Sequence, residues 1–283
     1  MELANAKAIY RFGEIEIDFR TETVVMGILN VTPDSFSDGG KYGRVDSALK
    51  HAEEMIRNGA KIIDIGGEST RPGHEPVSIE EELERTVPII EAITRELNCG
   101  VSIDTYKAAV ADAAMKAGAH IINDIWGAKR EQEIAKVAAF HNSPIILMHN
   151  REQVDYKDPL MDEVIADLIE SIDIAKNAGV AKENIWLDPG IGFAKDTEQN
   201  IAVMQGLQKI ADLGYPQLLG TSRKSMIGNV LDLPVEERLE GTSATVCYGI
   251  ERGCHIIRVH DVKEIGRAVK MMDVLTGKST YKG

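Results

Sequence analysis

Eight short apolar runs are spaced along the chain, and each leads into a residue capable of chemistry. Val24–Leu29 runs into Asn30, Ile62–Ile65 into Gly66-Gly67-Glu68, Val101–Ile103 into Asp104, and His120–Ile122 into Asn123. Ile145–Met148 runs into His149, Ile185–Leu187 into Asp188, Leu218-Leu219 toward Lys224, and Ile256-Ile257 into Arg258 and His260. The runs are rich in Val, Ile and Leu without strict alternation, the pattern of parallel strands covered on both faces. Between them lie segments with helical periodicity. In the first, Val45, Ala48, Leu49, Ala52, Met55 and Ile56 share one face; in the fifth, Met161, Val164, Ile165, Leu168, Ile172 and Ala175 do so. Strand, loop and helix repeated in this way describe an α/β fold, a (β/α)8 TIM barrel, whose active sites stand where the strands end.

The chain boundaries fit that reading. At 283 residues the chain is slightly above the roughly 250 typical of such a barrel. Residues 8–20 alternate apolar and polar around Gly13-Glu14 and predict a hairpin in residues 1–20 that plugs the N-terminal end of a barrel spanning 21–283. Gly59, Gly118, Gly179, Gly214 and Gly253 predict left-handed helix ends, and Ser78 with Glu81 predicts a capping box opening the second helix. The stretch from Asn30 to Gly43 is expected to be a long functional loop.

Composition narrows the function. A formal net charge of −13 argues against nucleic acid and anionic membranes as partners, because no general basic face can be assembled. No signal-peptide pattern or membrane-length apolar stretch is visible, and Cys99, Cys247 and Cys254 lack metal spacing. They read as small buried hydrophobes in a reducing compartment, and the expected location is the cytoplasm.

The strand ends sort by charge. Arg71, Lys224, Arg258 and His260 would meet at one mouth as an anion site, although Arg71 taken alone could equally be a solvated surface cation. Asp104, Asn123 and Asp188 form an acid–amide set. A carboxylate there is costly to bury without a donor, and a flat amino-heterocycle such as a pterin or guanine would supply several N–H groups. Each also has a bland reading: Asp104-Thr105 could cap the next helix, and Asn123-Asp124 could be a turn. Met148 could serve as an apolar wall, whereas His149 reads as lining. The Gly190-Ile191-Gly192-Phe193 segment lacks the dinucleotide spacing, and Arg223 breaks the phosphate-loop spacing before Lys224-Ser225.

The run Asn30 to Gly40 (NVTPDSFSDGG) and the run Gly66 to Gly73 (GGESTRPG) resemble the two signature loops of the dihydropteroate synthases. Further motifs of that family follow in order: Ser102–Thr105, Asn123–Ile125, Leu187–Phe193, Gly220–Ser225 and Arg258–His260. The resemblance spans roughly residues 24 to 275. Met148-His149-Asn150-Arg151 departs from many members, which carry a second methionine and a glycine nearby, and Ser243 is a mild variation.

The resemblance implies condensation of 6-hydroxymethyl-7,8-dihydropterin diphosphate with 4-aminobenzoate, giving 7,8-dihydropteroate and diphosphate, through a dissociative step. It assigns Asp104, Asn123, Ile125, Met148, Asp188, Phe193, Lys224 and Arg258 to the pterin. Phe36, Thr70, Arg71, Pro72 and Ser225 go to the aminobenzoate. Asn30, Arg258 and His260 go to the diphosphate, with Asn30 also at a Mg2+ ion. Asp38, Asp104, Lys224 and Arg258 carry the catalytic roles. It further implies a homodimer and sensitivity to sulfonamide inhibitors. A methyltetrahydrofolate-binding domain of a corrinoid methyltransferase would share the acid–amide set but has no need of the Asn30–Gly40, Lys224-Ser225 and Arg258-x-His260 machinery. A non-catalytic paralogue would not need to keep each of these motif residues.

Overall fold

In the computed structural model, residues 7–31, 40–68, 76–157 and 159–281 are described. Phe36, Asp38, Thr70, Arg71 and Pro72 lie outside them. The chain opens with an antiparallel hairpin of β1 (Ile9–Phe12) and β2 (Ile15–Asp18), turned at Gly13 with φ +60°. A parallel sheet follows: β3 (Val24–Asn30), β4 (Ile62–Gly66), β5 (Gly100–Asp104), β6 (Ile121–Asp124), β7 (Ile145–Met148), β8 (Ile185–Asp188), β9 (Leu218–Leu219) and β10 (Ile256–Val259). The order β8-β7-β6-β5-β4-β3-β10-β9 makes sequence neighbours spatial neighbours. The ring closes between β8 and β9 through a bridge from Leu187 to Gln217 and a 2.9 Å bond from Leu187 N–H to the Pro216 carbonyl. The eight expected strands are present.

The helices on the outside are α1 (Gly40–Arg57), α2 (Ile79–Glu96), α3 (Ala108–Lys116), α4 (Glu133–Phe140), α5 (Leu160–Asn177), the consecutive α6 (Thr197–Gln205) and α7 (Leu207–Ala211), α8 (Ser225–Leu231), α9 (Leu239–Glu251) and α10 (Val262–Leu275). The predicted faces pack inward: Ala48, Ala52 and Met55 of α1, and Met161, Val164, Leu168, Ile172 and Ala175 of α5, are buried. All five predicted glycines have positive φ, from 78° to 107°, because a left-handed residue there caps the last carbonyls without a Cβ clash.

Two local expectations change. Helix α1 begins at Gly40, so the last part of the expected Asn30–Gly43 loop is already helical. At α2, Ser78 accepts a 3.2 Å bond from Glu81 N–H, but the Glu81 carboxylate turns to Arg85 one turn on rather than back to the cap. The complete capping box lies at α6, between Asp196 and Gln199.

Side-chain alternation divides the core in two. Outward residues such as Ile63, Ile65, Val101, Ile103, Leu187 and Ile257 pack against the helices. Inward residues Met26, Ile62, Ile121, Ile146, Trp186, Leu218 and Ile256 form an apolar layer, which Tyr10, Phe12, Ile17 and Phe19 of the hairpin region seal from below. The Tyr10 and Trp186 rings meet edge-to-face at 5.0 Å, a favoured aromatic geometry. Gly100 makes room for the plug, since a Cβ there would sit 3.1 Å from both Phe12 and Ile62. The hairpin does close the N-terminal end of the barrel.

Candidate active site

Two residues beyond the apolar layer along each strand, the barrel interior becomes polar. The same alternation that directs Ile62, Ile121, Trp186 and Ile256 inward also directs Asp64, Asn123, Asp188 and Arg258 inward. Arg258 joins them. Its Nε donates to Asp64 Oδ2 at 2.6 Å and its Nη2 to Asp104 Oδ2 at 2.7 Å. Asn123 Nδ2 donates to the same Asp64 oxygen at 3.0 Å. Burial works against the charge on Arg258, yet the two carboxylates outweigh it and raise its pKa further. Burial pushes the Asp104 carboxyl above the ordinary range; Arg258 draws it back down and Asp64 adds to the rise.

The other oxygens of this pair, Asp64 Oδ1 and Asp104 Oδ1, are buried with no hydrogen-bond partner among the described residues. Unsatisfied buried acceptors cost free energy unless a donor arrives. Asp188 stands on the opposite side of the ring, its Oδ1 accepting from Gly190 N–H at 2.7 Å. Burial lifts its pKa to about 6, against the pull of Gly190 N–H and Lys224. The Lys224 ammonium sits 4.1 Å from the centre of the Phe193 ring, a cation–π contact. Burial first, and then the like charge of Arg258, lower its pKa to about 8.

The bland alternatives resolve residue by residue. Asp104 does not cap α3, which starts at Ala108 with no side-chain cap. In the Asn123-Asp124 pair, Asp124 makes the turn, accepting from Trp126 and Ala128 N–H at 2.8 and 2.6 Å, while Asn123 faces Asp64. His260 is two residues beyond Arg258, and its Nδ1 is 3.0 Å from Ser222 Oγ. Asn30 flanks Gly66, with its Oδ1 and Asp104 Oδ2 each 3.7 Å from where a Gly66 Cβ would stand. Met148 is buried on its strand end, Ile125 is half-buried just after β6, and Ser225 opens α8 exposed. All three cysteines are free, and Cys99 and Cys254 are buried as expected, whereas Cys247 on α9 is only partly buried.

Asp64 escaped the sequence reading because it lies inside an apolar run, one turn of the pleat before the strand ends. Its signal was there: an acid in Ile62-Ile63-Asp64-Ile65 at the inward parity of Ile62. His149, read as lining, is fully buried in a polar network instead. Its Nε2 is 3.0 Å from Asp167 Oδ2 and its Nδ1 2.8 Å from Lys195 Nζ.

Together these groups offer hydrogen-bond acceptors to a flat N–H-rich ring, with apolar and aromatic side chains and the largely buried cations Lys224 and Arg258 in the same polar layer. Residues 26–260 match the sequence model of a family described as pterin binding enzyme. The class is therefore a pterin-binding barrel enzyme. The dihydropteroate synthase of Bacillus subtilis is 62% identical over 93% of this chain and 92% of its own. A crystal structure of dihydropteroate synthase from Clostridium difficile in the presence of pteroic acid superposes with a TM-score of 0.88 at 48% identity, covering 94% of this chain and 98% of that one. The Yersinia pestis enzyme with a sulfonamide drug complex gives 0.87 at 41% identity, covering 95% and 99%. The chain belongs to the dihydropteroate synthases, transferases of folate biosynthesis.

Proposed function

We propose that the polar mouth of this barrel carries the family's reaction, joining 6-hydroxymethyl-7,8-dihydropterin diphosphate to 4-aminobenzoate with release of diphosphate. The observation that supports the assignment most is the unsatisfied pair of carboxylate oxygens, Asp64 Oδ1 and Asp104 Oδ1, buried beside Arg258 and Asn123. Asp104, Asn123 and Asp188 take the N–H and carbonyl edge of the pterin. Met148, Ile125, Phe193 and the Arg258 plane pack against its faces, and Lys224 bonds its polar edge beside the aminobenzoate. Arg258, His260 and Asn30 hold the diphosphate. Ser225, with Thr70, Arg71, Pro72 and Phe36 of the segments outside the described residues, receives the aminobenzoate.

The bond to diphosphate breaks with its electron pair on oxygen. Asp104 and Asp38 stabilise the cationic methylene left on the pterin. The amine lone pair then forms the new C–N bond and a proton departs. Exclusion of water matters because water is a competing nucleophile. A Mg2+ ion fits the donor set: the ion commonly takes one or two protein oxygens together with phosphates and waters. Among the described residues no group of three acidic, His or Cys side chains forms a cage for it. Asn30 Oδ1 is the protein oxygen proposed to hold it, and the ion's chemistry there is neutralisation of the departing diphosphate.

We further propose a cytoplasmic homodimer inhibited by sulfonamides that occupy the aminobenzoate position. Exposed Met271, Val274 and Leu275 along α10 support an apolar contact face, and no described helix is long and apolar enough to cross a membrane. Sedimentation at micromolar concentration tests the dimer.

The decisive experiment supplies the purified protein with both substrates and Mg2+ and follows dihydropteroate. Asp104→Asn and Lys224→Ala are each expected to lower turnover by about 10²-fold or more. Near-normal rates in either variant would overturn the site assignment.

A further inference from the structure

The turn that carries Phe193 is held in a shape the backbone resists. Gly190, Gly192 and Ala194 all have positive φ, at 67°, 82° and 44°. A non-glycine residue such as Ala194 stays there only when its surroundings over-determine it. The turn closes through a 3.1 Å bond from Phe193 N–H to the Gly190 carbonyl, and Asp188 Oδ1 and Asn200 Oδ1 accept from Gly190 N–H and Gly192 N–H at 2.7 Å each; the Phe193 carbonyl, at its far end, takes part in none of these bonds.

Lys195 ties the two ends of the turn together. Its Nζ donates to the Gly190 and Phe193 carbonyls at 3.1 Å each, and to His149 Nδ1 at 2.8 Å. Three acceptors around one nitrogen match the three N–H groups of an ammonium. With Nδ1 accepting, the His149 proton sits on Nε2 and points to Asp167 Oδ2. Asp167 is itself fixed by Arg151 Nε at 2.6 Å. The chain of contacts thus runs from α5 through His149 to both ends of the turn, and from the turn through the Phe193 ring to Lys224. Burial lowers the pKa of Lys195 to about 7, against the pull of the Asp188 charge.

We propose that Lys195, braced by His149 and Asp167, is a positioning residue for the pterin half of the reaction: it holds the Gly190–Phe193 turn so that the Phe193 ring and Lys224 keep their contact. This rests on the reading of Phe193 as a pterin wall. Lys195 acts in this proposal through the turn, not on the reacting atoms.

The test uses the full-length protein carrying Lys195→Gln, Asp167→Asn, Phe193→Ala and the Lys195→Gln/Phe193→Ala pair, with melting temperatures taken alongside. For Lys195→Gln the KM for the pterin diphosphate is expected to rise about 10- to 100-fold, the scale of a misplacement transmitted from outside the contact shell. The KM for 4-aminobenzoate should stay within about twofold, and in the Phe193→Ala background the loss from Lys195→Gln should largely vanish, as coupled residues behave. Asp167→Asn, which preserves the shape, should show a smaller shift of the same kind and serves if Lys195→Gln does not fold. If Phe193→Ala weakens pterin binding while neither other single variant does, or if the double-variant losses multiply, Lys195 is not a positioning residue and the proposal fails. If Phe193→Ala itself leaves pterin binding unchanged, the wall reading fails and takes the proposal with it.

Discussion

Burial raises the proton affinity of Asp188 to about 6 from an ordinary 3.8, so the folded protein holds a proton there more tightly than the unfolded chain. The native state then binds more protons between those two values, and stability falls as pH rises from about 4 to about 6 and stays lower above. Asp188→Asn keeps an oxygen for the Gly190 N–H but removes the ionisation. It is expected to stabilise the protein at pH 8 by about 1–3 kcal/mol, with the gain disappearing below about pH 4, while dihydropteroate formation is lost. Urea denaturation of both proteins across that pH range checks it; an equal difference at every pH would contradict the burial account. Arg258 shows the same tension from the opposite sign, because its guanidinium is tolerated inside the barrel only through Asp64 and Asp104. Asp64→Leu should therefore cost about 3–5 kcal/mol by stranding a buried charge, measurable in the same denaturation experiment.

Elements divide the labour between the two ends of the strands. The hairpin residues β1 and β2 contribute to the apolar floor and to nothing polar in the mouth, so Ile17→Ala, at a site with no exposure, should lose about 2–5 kcal/mol and leave both KM values unchanged. The β8 turn behaves in the opposite way. A methyl group at Gly190 would land on the His149 carbonyl oxygen and also demand a positive φ; Gly190→Ala should impair folding and activity together, read as a lower melting temperature with a raised pterin KM. Strand runs and helix faces were legible in the sequence because burial imposes a period on them, and Asp104, Asp188 and Arg258 because they end such runs. Asp64 was hidden by the same rule, standing within a run whose outward neighbours Ile63 and Ile65 masked its inward parity. Lys195 and Asp167 could not be joined to His149 by spacing, since the three come from separate elements and meet only when the barrel closes. The Glu81 side chain illustrates a competition that pattern cannot decide: the cap motif was present, yet a cation four residues on took the carboxylate.

For the molecule as a whole, the ring of strands is least tightly joined between β8 and β9. β9 contributes only Leu218 and Leu219, and the seam rests on the Leu187–Gln217 bridge and the Leu187–Pro216 bond, with both Gln217 side-chain polar atoms unpartnered among the described residues. Native-state hydrogen exchange is expected to open Leu187 and Leu219 before Ile63 and Ile65 of β4, which is paired along its length on both sides; uniform protection around the ring would show that closure is stronger than the bonding implies. The plugged floor has a different kind of consequence. A barrel sealed by Tyr10, Phe12, Ile17 and Phe19 is a cul-de-sac, with a single doorway for two substrates and two products. Whatever is seated deepest must enter first and its partner second, and no new pair can be seated until the joined product has backed out past the rim, so order of entry is built into the shape of the barrel.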